Sequence, residues 1–139
     1  MKVLIIGCGR VGSSVAKEMC EAGHEIIMID WSQDALNKAA SRGILPDSFK
    51  GTVVVGDGTD EDLLRRAGIE SADALVAVTD GDNRNIMAAQ IAREIFKVPK
   101  VVCRIRDPIR EEVYKELGLM TICLTKIGAA MIEDMLQGE

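Results

Sequence analysis

The sequence predicts an α/β domain: one doubly wound parallel sheet of six strands, order 3-2-1-4-5-6, with helices on both faces. Three observations carry this. Short β-branched apolar runs recur at 3–6, 25–29, 52–55, 74–78, 101–104 and 121–123. Helical patterns lie between them, and a glycine-rich turn joins the first run to the first helix. Runs that are apolar throughout suit strands buried on both faces. Parallel neighbours need crossover connections, which the intervening helices supply. Right-handed crossovers, with the glycine turn after the first strand, favour that strand order.

The first helix shows Val11, Val15 and Met19 at every fourth residue, with Gly23 as its stop. The segment 42–51, RGILPDSFKG, has a proline and no period, and reads as a surface loop between the second helix and the third strand. Thr59-Asp60-Glu61-Asp62 is a capped start for a short helix at 63–66. Residues 85–96 read as a long helix, ended by Val98-Pro99. Ile109, Val113 and Leu117 mark a further helix before Gly118. Residues 126–137 are amphipathic, with Ile127, Met131 and Met135 on one face. That face either packs on the domain's own core or meets another subunit.

The chain has 139 residues and reads as a single domain, 1–139. Its hydrophobic share is 47%, its aromatic share only 3%, so Val, Ile, Leu, Ala and Met must fill the core. The net charge of −5 argues against a nucleic-acid or anionic-membrane binder. Cys8, Cys20, Cys103 and Cys123 form no CxxC pair, which disfavours a zinc ribbon or dithiol site. They read as small packed hydrophobes in a reducing cytoplasm. Residue 2 already begins a strand, leaving no space for a signal peptide. No apolar stretch nears the roughly 20 residues a spanning helix needs. The expectation is a soluble cytosolic protein.

Gly7, Gly9 and Gly12 stand between a strand and a helix, the context in which G-x-G-x-x-G carries meaning. Gly7 permits the tight turn, Gly9 lets backbone approach a pyrophosphate, and Gly12 lets helix and strand pack closely. The helix N-terminus, through Arg10, Val11 and Gly12, offers N–H groups and a partial positive charge to phosphates. Asp30 closes the second strand, 18 positions after Gly12, where it can accept from both ribose hydroxyls. Its charge disfavours a 2′-phosphate, and hence NADP. Asp30 otherwise reads as a cap for the helix that follows. Arg10 reads as a phosphate contact or as a solvated side chain. Trp31 lies beside the adenine or packs on the following helix.

No chemistry accompanies this pocket. The one histidine, His24, sits in a turn before the second strand, and Tyr114 is not part of a Tyr-x-x-x-Lys pair. A catalytic residue and a metal ligand set are not expected. The sequence therefore points to a sensor rather than an enzyme. An NAD-dependent oxidoreductase's cofactor domain and a nucleotide-free assembly module are the alternatives.

Five motifs stand in register: GCGRVG; the ID of Ile29-Asp30; VGDGT at 55–59; AVTD at 77–80 with DNRN at 82–85; and VVCR at 101–104 with Asp107-Pro108. Together they resemble the KTN or RCK N-terminal domain, the nucleotide-binding part of Trk/Ktr-type potassium-uptake regulators and of some potassium-channel gating rings. The resemblance spans nearly the whole chain. It implies a cytoplasmic regulatory subunit on the inner face of the cell membrane. Such a subunit docks on a potassium transporter or channel as a homo-oligomeric dimer or ring, with or without a related subunit. The resemblance also implies binding of NAD(H), the first choice here, or ATP/ADP. Gly7, Gly9, Arg10 and Gly12 match the family's phosphate turn and Asp30 its ribose acid. Gly56, Asp57 and Gly58 match the loop flanking adenine, and Thr79 and Arg104 match strand ends that face the rest of the nucleotide. A helix covering 125–139 would cross to a neighbouring subunit. The loop 42–51 is longer than the family's usual connection there.

Overall fold

The first strand, β1 (Lys2–Ile6), is apolar on both sides and takes the centre of the sheet. The computed structural model describes residues 1–41 and 51–138. β1 pairs in parallel with β2 (Glu25–Asp30) and β4 (Ala74–Ala77). Outside these lie β3 (Thr52–Val55) on one side, and β5 (Lys100–Arg104) and β6 (Met120–Ile122) on the other. The order is 3-2-1-4-5-6, all parallel, as expected for a Rossmann-like doubly wound sheet.

The strands' period of two sorts their side chains into two cores. Val3, Ile5, Ile26 and Met28 face α1 (Arg10–Glu21) and α2 (Gln33–Ser41), packing with Ala16 and Leu36. Leu4, Ile6, Ile27, Ile29 and Leu75 face the other way. There they meet Leu63 and Leu64 of α3 (Glu61–Arg66) and Ile86, Ala88 and Ala89 of α4 (Asp82–Gln90). Asp60 caps α3 by accepting from the N–H groups of Asp62 and Leu63, the start that TDED signals. Asp107 caps α5 (Pro108–Glu116) in the same manner, with Pro108 at its first position.

Two expectations need correction. The long helix expected over 85–96 begins earlier, at Asp82, and passes after Gln90 into a π-type turn, Ile91–Ile95. There the Phe96 N–H reaches back five residues to the Ile91 carbonyl. In α5, the periodic stripe Ile109, Val113 and Leu117 points outward, and the buried residue is Glu111. The last helix, α6 (Leu124–Gln137), buries none of its residues, so its apolar face does not pack on this chain's core. The loop expected at 42–51 falls almost wholly outside the described residues. Among the described residues the cysteines are free, with Cys8, Cys103 and Cys123 buried. No helix among the described residues is long and apolar enough to cross a membrane.

Candidate functional site

The strands' carboxyl ends open onto a cleft of about 490 Å³ lined by Gly7, Cys8, Gly9, Asp30, Trp31, Thr79 and the residues around them. The turn at Gly7 makes it possible. Gly7 has φ +114°, and an added Cβ would lie 2.8 Å from the Val78 carbonyl and the Thr79 nitrogen. Gly12 packs so closely that an added Cβ would overlap the Gly7 carbonyl oxygen. Gly9 differs, because a Cβ there would meet no protein atom within 4 Å. α1 starts at this turn with no side-chain cap and no acid in its first turn. Its first N–H groups and positive dipole end are thus available to an anion.

Asp30 ends β2 at the cleft. Its Oδ2 accepts from the Cys8 N–H at 2.8 Å and its Oδ1 from the Ser32 N–H at 2.9 Å. The carboxylate so locks the glycine turn to the end of β2. Each oxygen retains a lone pair for a further donor. Ser32 caps α2, its Oγ accepting from the Ala35 N–H at 3.2 Å. Asp30 is therefore a strap across the cleft floor rather than the cap itself. Trp31 is exposed and lines the cleft instead of packing on α2. The Arg84 guanidinium lies over its ring, 4.8 Å from the centroid.

The cleft narrows toward the turn after β3, where Gly56, Asp57, Gly58 and Thr59 form the wall. Asp57 accepts from the Thr59 N–H at 2.9 Å and hydroxyl at 2.7 Å. These bonds, then the charge of Arg84, hold its carboxyl below the usual value. On the opposite wall, Thr79 is gripped by Asn85. The Asn85 Oδ1 accepts from the Thr79 N–H at 2.8 Å and hydroxyl at 2.7 Å. Its Nδ2 donates to the carbonyls of Thr79 and Arg104, both at 3.0 Å. Asn85 is fully buried and joins the ends of β4 and β5 to α4.

The structure brings Gly7, Gly9, Asp30, Trp31 and Thr79 together around the main cleft, with Asp57 and Gly58 around its narrow end. Arg10, Val11, Gly12 and Arg104 are not among the lining residues. Arg10 is exposed, and Val11 packs against the core beneath α1. Arg104 turns under the wall, donating to the Thr79 carbonyl at 2.7 Å and to Asp80 at 3.3 Å. Its Nε is buried without a partner. It positions Thr79 rather than lining the cleft. Arg84, Asn85 and Ser32 are the residues that sequence reasoning missed. The first two lie in the quoted DNRN stretch, where only spatial proximity to Trp31 and Thr79 distinguishes them from an ordinary helix start. Burial pushes the Cys8 thiol up, so it stays protonated beside the cleft. His24 lies just before β2, at the sheet's other edge, with its Nδ1 2.9 Å from the Met1 nitrogen.

A doubly wound parallel sheet with an open, glycine-floored cleft at its carboxyl edge defines a Rossmann-like domain of the nucleotide-binding class. The chain belongs to the TrkA-N domain family, whose model matches residues 3–125. It is 45% identical over 126 residues to the Trk system potassium uptake protein TrkA of Streptomyces coelicolor, covering 91% of this chain and 54% of that protein. The chain spans about half the length of the curated relatives it matches. Among solved structures, GsuK bound to ADP superposes with a TM-score of 0.78 at 24% identity, over 98% of this chain and 34% of that one. The GsuK channel bound to NAD superposes with a TM-score of 0.71 at 18% identity, over 91% and 22%.

Proposed function

We propose that this chain is the nucleotide-sensing regulatory domain of a potassium uptake system. In this reading it binds an adenine nucleotide, NAD(H) first and ATP or ADP as the rival, and passes the bound state to a membrane transporter through a dimer or ring. The observation that carries the proposal is the cleft itself. A helix N-terminus without an acid, an open approach at Gly9 and the Asp30 carboxylate converge on one hollow. In this assignment Gly7, Gly9 and the first turn of α1, with Val11 and Gly12, take the phosphates. Arg10 reaches them from the rim. Asp30 takes the ribose hydroxyls, Trp31, Asp57 and Gly58 border the base, and Thr79, held by Arg104, faces the rest of the ligand.

Supporting this reading are a relative named as a potassium uptake protein and neighbours described with ADP and with NAD. The cleft's one thiol is held protonated and the one histidine lies at the opposite edge, which favours a sensor over a catalyst. The exposed apolar face of α6 suits a subunit contact, and the domain would sit at the cytoplasmic membrane face through its transporter. A ligand biases such an assembly by binding its two states unequally.

The test is titration with NADH, NAD⁺, ATP and ADP, following Trp31 fluorescence and the unfolding midpoint. A ligand at about 100 times its Kd adds about 2.7 kcal/mol of stability. Asp30→Ala should weaken that binding at least tenfold, about 1.4 kcal/mol. If no nucleotide shifts the midpoint while the chain still forms a stable oligomer, the domain is an assembly module.

A further inference from the structure

The cleft is wide beside Gly9 and narrow at the turn Gly56–Thr59, where the reading above puts the base. Between Trp31 and the turn Gly56–Thr59 the hollow holds only about 10 Å³, room for about one water molecule. A purine stacked there needs one of the walls to move. Most of its walls are fixed. Ile6 and Ile29 belong to the core, Gly58 packs on Ile6, and Asp30 is held by two backbone N–H groups.

Arg84 forms a further wall, facing Trp31. It lines both the wide and the narrow part of the cleft. Its guanidinium lies 4.8 Å from the Trp31 ring centroid. A base inserted between the two would need about 7–8 Å, twice an ordinary carbon contact. Arg84 is also the wall most free to move. It is exposed, and it stands in the first turn of α4, where the helix dipole disfavours a cation. Among the described residues its guanidinium has the Trp31 ring and the field of Asp57 as partners, with no hydrogen bond or ion pair. A planar cation with five donors is thus parked on an aromatic face at the site.

Building on the adenine-nucleotide reading above, we propose that Arg84 is an exchangeable plug of the base subsite and sets its selectivity for phosphorylated ligands. Adenine takes the Trp31 face from Arg84. The released guanidinium closes on the nucleotide's phosphates at the mouth, beside Gly9 and Gly81, where the same side chain already forms wall. Adenosine must displace the cation and offers it nothing in return. AMP, ADP and NAD⁺ offer it a bidentate oxyanion.

The experiment is calorimetric titration of the wild-type chain, Arg84→Ala and Arg84→Lys with adenosine, AMP, ADP and NAD⁺. Unfolding midpoints of the free proteins show that each is folded. In Arg84→Ala, adenosine should bind more tightly and ADP about tenfold more weakly, the loss of one charge-assisted contact. The ADP-to-adenosine preference then shrinks from both ends. Arg84→Lys keeps the charge without the planar fork and should fall between. If Arg84→Ala weakens adenosine and ADP by the same factor, Arg84 stacks on the base and the plug is wrong. Unchanged affinities overturn it equally. If the wild-type chain binds none of the four ligands, the nucleotide reading falls and takes the plug with it. If the wild type binds and the variants match it, the plug alone falls.

Discussion

A methyl group added at Gly9 would meet no protein atom within 4 Å, whereas one at Gly12 would overlap the Gly7 carbonyl oxygen. Two glycines of one motif therefore answer to different demands. Gly12→Ala forces α1 away from the end of β1, and an overpacked contact of this kind costs about 1–3 kcal/mol or more. Gly9→Ala should leave the unfolding midpoint near the wild-type value while reducing nucleotide affinity, because its methyl group occupies space at the cleft. Paired midpoint and titration measurements on the two variants separate fold from site. Equal destabilisation of both would show that Gly9 serves the turn alone. Asp30 combines the two demands: its oxygens brace Cys8 and Ser32 and also border the cleft. Removing it costs some stability as well as binding.

At the scale of elements, a small polar cluster anchors the start of α6. Glu111 of α5 is buried, accepts from the Thr121 hydroxyl of β6, and lies 2.8 Å from the Lys126 Nζ of α6. Lys126 also reaches Glu112 at 3.1 Å. The hydrogen bond from Lys126, then that from Thr121, hold the Glu111 carboxyl below its ordinary value of 4.5. A carboxyl depressed on folding contributes stability that is fully present above its unfolded value. That stability is lost as pH falls through the folded one. Wild-type stability should therefore drop more steeply than that of Glu111→Gln below about pH 4.5. At neutral pH, Glu111→Gln should be less stable by about 1–3 kcal/mol. Urea midpoints at pH 7 and across pH 3–5 check both statements; parallel acid profiles would refute the assignment.

At the scale of the whole molecule, the apolar surface is concentrated at one end of the chain. Along α6, Ile127, Met131, Ile132, Met135 and Leu136 are all exposed, from 44% at Ile127 to 80% at Leu136. Isolated exposed apolar residues are ordinary, but a helix with an unburied apolar stripe needs a partner to be stable in water. Under the proposed subunit contact, a second copy of this helix is its partner. Met131→Glu combined with Met135→Glu should shift the chain toward monomer in sedimentation velocity, with nucleotide affinity unchanged because α6 does not line the cleft. An unaltered sedimentation coefficient would place the subunit contact elsewhere.

Periodicity and glycine placement alone carried the sheet order, the glycine turn and the aspartate at the end of β2. Each depends on residues near in sequence: a strand's apolar run, a turn that only glycine allows, an acid one βαβ unit later. The tertiary structure decided what distant segments do to one another. It set Arg84 of α4 over Trp31 after β2, and it made Asn85 the tie between β4 and β5. It turned Arg104 beneath the cleft wall and buried Glu111 where the pattern of α5 promised an apolar stripe. The physical reason is common to all four. A hydrophobic period reports which face of an element avoids water, but a polar side chain's role depends on the partner that desolvates or pairs it, and that partner stands on another element.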